Sequence, residues 1–192
     1  EGQRCVGLTV IAPMPSYLKG AAMADYYAAL ASAMRTLMQK GWHFYLFNQV
    51  TGPSPDEDDR TAARELLRGF SGQELEQVHH VDQPMGPAEL KAAYGLMDVF
   101  IASRLHSGVF SLAMNCPTLF IGYLHKTRGV LQPLGLEDRV CEIGALDSGR
   151  LSSKLKALLE DKDSEIERLK EINHSIQTAL EHLPEKLREL RS

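Results

Sequence analysis

Apolar residues along this chain alternate between short unbroken runs and stretches with a helical repeat, and that alternation predicts its elements. Residues 5–12 (CVGLTVIA) form a β-branched run closed by Pro13 and Pro15, the pattern of a buried strand. Over residues 21–40 Tyr27, Leu30, Met34, Leu37 and Met38 fall at helical spacing, and Gly41 stands where a glycine ends a helix. A second strand follows at 42–50 (WHFYLFNQV) and completes a βαβ unit. After the turn Gly52-Pro53-Ser54-Pro55, Asp56 can cap a helix reaching about Arg68, and 78–81 is a weak strand. Residues 86–94 read as a short helix, 97–102 as a strand, 103–106 as a polar loop, and a further helix starts at about Ser107. The apolar run 117–123 is another strand, 124–129 a basic loop before a helix towards Leu134, 140–143 an edge strand and 150–160 a helix. Repeated βα units predict an α/β domain with a mainly parallel sheet and helices on both faces.

From Ser164 the pattern changes. Ile166, Leu169, Ile176, Leu180, Leu183, Leu187 and Leu190 recur every three or four positions with Asn173 in the same seam, and Pro184 interrupts them. The reading is therefore a domain over residues 1–162 and an amphipathic helical extension over 163–192. The extension is expected to pack on the domain, on a missing partner domain or on a second copy of the chain.

Composition narrows the function. With 192 residues, 44% hydrophobic and 24% charged, the chain has the makeup of one globular core. Its net charge of −4 argues against general attraction to nucleic acid or an anionic membrane, so any anion site must be local. Cys5, Cys116 and Cys141 are odd in number and widely spaced, which supports neither a disulfide framework nor a zinc ribbon. No apolar run reaches the roughly 18 residues of a membrane span, and Glu1-Gly2-Gln3-Arg4 does not look like a secretion signal, so a cytoplasmic location is expected. The chain lacks an initiator methionine and opens almost directly on a strand, which suggests a piece of a longer polypeptide.

In doubly wound sheets ligands bind beyond the carboxyl ends of the strands, where loops lead into helix N-termini. Two loops here carry suitable residues. Ser103, Arg104, His106, Ser107 and Gly108 follow one strand, and helix N–H groups there favour a negative charge that Gly108 would let approach closely. His125, Lys126, Thr127 and Arg128 follow the next strand. If the two strands are neighbours, His106 and Lys126 face one crevice, which suits a small ligand with several negative charges. A lone Ser-Arg-Leu-His stretch is more simply a strand end with a surface ion pair, but a second basic loop shifts the balance towards a ligand site. His106 can also transfer a proton near neutral pH. His79 and His80 alternate faces of a strand and make a poor metal pair, so no metal is expected. Asp56 to Asp59 read as a solvated helix start, and Asp98 and Tyr94 as packing or capping residues. Gly7 and Gly20 make no dinucleotide fingerprint.

Residues 97–136 (MDVFIASRLHSGVFSLAMNCPTLFIGYLHKTRGVLQPLGL) resemble the carboxyl-terminal half of the polysaccharide pyruvyl transferase family. The shared pattern is an apolar strand, a Ser-Arg-(Leu/Phe)-His turn, a small-residue helix, a second strand after a proline, and a Lys-containing loop before a Leu-Gly-Leu ending. The resemblance implies a Rossmann-like domain forming the second half of a GT-B-like fold, and transfer of pyruvate from phosphoenolpyruvate onto two sugar hydroxyls as a ketal. His106 and Lys126 match the family's donor-binding His and Lys, with His106 a candidate acid and Ser103, Arg104, Ser107 and Arg128 in support. No cofactor is implied beyond the donor substrate. The implied partners are a saccharide acceptor, lipid-linked at the inner face of the membrane, and a missing N-terminal domain that would hold most of that acceptor. The isolated chain is therefore expected to be inactive. Many members carry an Arg after the first strand, where this chain has Ala12-Pro13-Met14-Pro15. Two other readings compete. One is the nucleotide-sugar-binding half of a glycosyltransferase or sugar epimerase, with Glu142 as a weak ribose contact. The other is a non-catalytic module that self-associates through the Asn173 seam.

Overall fold

A computed structural model describes residues 2–12, 21–54, 57–122 and 125–184, with only the backbone described at Ala21 and His125. Six parallel strands form one sheet in the order β3-β2-β1-β4-β5-β6. They are β1 (Arg4–Thr9), β2 (Trp42–Phe47), β3 (Val78–Val81), β4 (Val99–Ala102), β5 (Thr118–Gly122) and β6 (Val140–Glu142). β1, β4 and β5 are nearly continuous apolar runs because both faces of the sheet are covered, which is the condition that parallel ladders require.

On one face Val6, Leu8, Phe44, Leu46, Ile101 and Leu119 pack against α1 (Ala21–Met38), α2 (Asp59–Leu67) and α7 (Ser148–Glu160). On the other Phe47, Phe100, Ala102 and Phe120 meet α4 (Pro87–Tyr94), α5 (Leu105–Leu112), α6 (His125–Leu131) and α8 (Lys162–Glu181). A one-turn helix, α3 (Gly72–Leu75), precedes β3 and is closed by a capping box between Ser71 and Glu74. Gly41 takes φ 79° at the end of α1, the left-handed conformation that lets the chain turn into β2.

The alternation of elements is as the hydrophobic pattern predicts, and several details differ. β2 stops at Phe47 and releases Asn48 to Val50 as a loop. The cap of α2 is Asp58, whose side chain accepts from Arg60 N, while the expected cap Asp56 lies outside the described residues. Tyr26 rather than Tyr27 is wholly buried in α1, because Tyr26, Leu30, Ala33 and Leu37 make the inward stripe. α5 starts at Leu105, two residues earlier than expected. The basic segment from His125 to Arg128 is the first turn of α6, not a loop.

The first half of α8 lies on the domain. Leu169 is buried, Glu165 pairs with Arg139 at 2.7 Å, and Asn173 donates to the Leu112 carbonyl and to Asn115 Oδ1, both at 2.8 Å. Asn173, the best support for self-association, is thus used within the chain. Ile176, Leu180 and Leu183 further along are exposed. The break expected at Pro184 has its far side outside the described residues. No helix among the described residues is long and apolar enough to cross a membrane.

Candidate active site

The strand order of the sheet reverses between β1 and β4, and beyond their carboxyl ends opens a cleft of about 700 Å³. Its first wall is the turn between β4 and α5. Thr9, the last residue of β1, holds that turn with one hydroxyl. Its Oγ1 accepts from the backbone N–H of Ser103 at 3.2 Å and of Arg104 at 3.4 Å, and lies 2.8 Å from Ser107 Oγ. Ser107 Oγ donates to the Arg104 carbonyl at 2.6 Å, so the proton between the two hydroxyls belongs to Thr9. Tyr26 donates to Ser103 Oγ at 2.7 Å and accepts from Ile11 N at 3.3 Å. Burial, against which these hydrogen bonds act only in part, drives the Tyr26 phenol well above its ordinary range and keeps it protonated.

Ser103 and Ser107 were expected to contact a ligand directly; both residues are buried, at 4% and 0% exposure, with their hydroxyls engaged by Tyr26 and Thr9, and of the two Ser103 lines the cleft and Ser107 does not. The polar turn is tightened by its own hydroxyls. What it offers the cleft is the exposed imidazole of His106 and the first N–H groups of α5, which have no carbonyl partner within the helix. Gly108 serves a purpose other than ligand approach. A Cβ placed there would lie 2.0 Å from Phe120 Cε1, so the glycine lets α5 sit directly on β5.

β4 and β5 are neighbours, and the second wall follows from that pairing. Lys126 is exposed and lines the cleft opposite His106, with Thr127 buried beneath it against Gly122. Arg128 does not line the cleft. It pairs with Glu142 at 2.9 Å on the surface, and so also occupies the residue considered for a ribose contact.

A third wall was not foreseen from the sequence. Asn48, Gln49 and Val50 after β2, with Met85 and Leu90, complete the cleft. Gln49 Nε2 donates to Tyr94 Oη at 3.2 Å and Asn48 Nδ2 to Asp82 Oδ1 at 2.8 Å. Behind them Asp59 is fully buried and receives Arg104 Nη2 at 2.6 Å. Asp59 had been read as part of a solvated acidic cap. Its position with Ala62, Ala63, Leu66 and Leu67 on the buried stripe of α2 is the signal that marks it as an interior carboxylate.

At the opposite end of the sheet, Asp98 accepts from Cys5 N and Lys162 Nζ and so has a structural role. His79 meets His43, Nε2 to Nδ1 at 3.1 Å with the two rings stacked, and lies tilted against Tyr45. Burial, followed by the neighbouring His43, lowers the pKa of His79. Among the described residues no group of three or more His, Cys, Asp or Glu is arranged to hold a metal ion.

Residues 10–125 match the family model described as polysaccharide pyruvyl transferase. The amylovoran biosynthesis protein AmsJ of Erwinia amylovora is 27% identical over 161 residues, which cover 82% of this chain and 38% of that protein. The chain therefore spans well under half the length of this relative. Among solved structures, the C-terminal domain of a group 1 glycosyl transferase, LpcC, from Francisella tularensis superposes with a TM-score of 0.59 at 13% identity, covering 92% of this chain and 86% of that one. An α,α-trehalose-phosphate synthase (UDP-forming) from Burkholderia vietnamiensis gives 0.59 at 12% identity, covering 100% and 46%. At such identities the likeness establishes the Rossmann-like α/β fold alone.

Proposed function

The chain belongs to the polysaccharide pyruvyl transferase family, and on that premise we propose that its cleft binds phosphoenolpyruvate as the donor for ketal formation on a saccharide. The observation that carries this reading is that His106, in the first turn of α5, and Lys126, in the first turn of α6, line one cleft from helices that follow two adjacent strands. Phosphoenolpyruvate brings a phosphate and a carboxylate, and a cation together with open helix N–H groups is the chemistry that recognises them. AmsJ, named for amylovoran biosynthesis, is consistent with a polymer-building transferase.

In this mechanism His106 delivers a proton to the methylene carbon of the donor and its C2 becomes oxocarbenium-like. One sugar hydroxyl bonds to C2. The C2–O bond to phosphate then breaks, the second hydroxyl closes the ring, and the two hydroxyl protons balance the new methyl group and the released phosphate. Lys126 stabilises the departing phosphate. The acceptor is held in part by an amino-terminal half of the enzyme. A donor carrying several charges does not cross a bilayer unaided, which puts the reaction on the cytoplasmic side, at the inner face of the membrane where the acceptor is lipid-linked. The nucleotide-sugar reading is less favoured, because its ribose candidate Glu142 is paired with Arg128 outside the cleft.

Thermal-shift titration tests the proposal. Phosphoenolpyruvate at about a hundred times its Kd stabilises the chain by about 2.7 kcal/mol, and His106→Ala and Lys126→Ala lose most of that gain. Stabilisation by a nucleoside diphosphate sugar and not by phosphoenolpyruvate would overturn it.

A further inference from the structure

β2 and β4 are not neighbours, since β1 lies between them, so no ladder hydrogen bond sets the distance between the loops that leave their carboxyl ends. Those loops are two of the walls of the cleft. One side chain joins them. Asp59 Oδ2 accepts from the backbone N–H of Gln49 and of Val50, each at 3.0 Å, and Asp59 Oδ1 accepts from Arg104 Nε at 3.2 Å and Nη2 at 2.6 Å. Each oxygen of the carboxylate thus serves one wall. The residue is itself fastened, because Asp59 N donates to the Val50 carbonyl at 2.8 Å.

A fully buried carboxylate with four donors can shift only if all four shift with it. The Arg104 side chain is 16% exposed and lines the cleft. A guanidinium has five N–H donors in a rigid plane, so fixing Nε and Nη2 on Asp59 also fixes the direction of those that remain. We propose that Asp59 is a positioning residue of the donor site, which aims Arg104 at the bound anion and holds the Asn48–Val50 wall at the matching distance. The inference rests on the phosphoenolpyruvate reading above. It assigns Asp59 no contact with the donor and no part in proton transfer.

Calorimetric titration of the whole chain with phosphoenolpyruvate tests it. In Asp59→Asn one acceptor oxygen becomes an amide NH2 that faces N–H donors in either orientation, and the Kd is expected to rise at least tenfold. Arg104→Ala is expected to give a similar rise, and the double variant no more than the larger single one, because the two residues act as one unit. Additive losses, or a lower melting temperature with an unchanged Kd, would mean that Asp59 only supports the fold and would overturn the proposal. A measurement on the unmodified chain remains decisive if Asp59→Asn does not fold. The Arg104 Nε–H resonance, shielded by Asp59, should shift on phosphoenolpyruvate addition while staying protected from exchange, whereas an unmoved resonance at saturation overturns the assignment. If the unmodified chain binds no phosphoenolpyruvate at all, the donor reading itself fails, which is a distinct outcome.

Discussion

The turn after β4 and the helix start after β5 face each other across the same cleft, yet they are held by different means. Around the first, Tyr26 with Ser103 and Thr9 with Ser107 form two buried hydroxyl pairs joined by the Ser103 N–H donating to Thr9, and Arg104 is tied to a carboxylate with no exposed surface. Around the second, the described ion pair is Arg128 with Glu142, both more than half exposed, and Lys126 reaches into the cleft from an exposed position. Buried networks of this kind lose free energy steeply when one member is removed, whereas solvent screens a surface pair into near irrelevance. A site built this way has one wall whose backbone is fastened beneath an exposed imidazole, and another whose cation stands on a surface helix turn.

Substitutions can test that contrast. Asp59→Ala strands the largely buried Arg104 guanidinium and two backbone N–H groups, and should cost about 3–5 kcal/mol in urea unfolding. A loss below about 1 kcal/mol would show the first wall to be no stiffer than the second. Gly108→Ala tests the floor between the walls. The added methyl meets the Phe120 ring, so a loss of about 1–3 kcal/mol is expected together with weaker donor binding as His106 is lifted, read by unfolding and titration on one sample. Arg128→Ala should change stability by less than about 1 kcal/mol, and salt should erase even that in a melting series. A larger effect would mean that the second wall depends on this pair after all.

Legibility in the sequence follows the range of the interactions. The strands were readable because a doubly covered parallel strand must be apolar throughout, and the edge strand Val78–Val81, with two histidines, was correspondingly faint. His106 and Lys126 were readable as exposed polar residues just beyond apolar strands. The hydroxyl network was not, because Thr9 and Ser107 are 98 positions apart and neither is unusual in its own segment. Asp59 was hidden by its neighbours, since an acidic run has a ready explanation as a helix cap. Only its phase with Ala62, Ala63, Leu66 and Leu67 distinguishes it from Asp58, which does serve as the cap. The segment from His125 to Arg128 misled in the opposite way, because a cluster of polar and basic residues resembles a loop when, among its described side chains, Thr127 alone is packed.

The clasp that Asn173 makes on the last carbonyl of α5 changes what the tail is mechanically. α5 is gripped at its start by Thr9 and at its end by a residue 61 positions beyond Leu112, so it behaves as a short beam pinned at both ends with His106 near one support. The first half of α8 is in that sense a support of α5, the helix that carries His106, rather than an appendage.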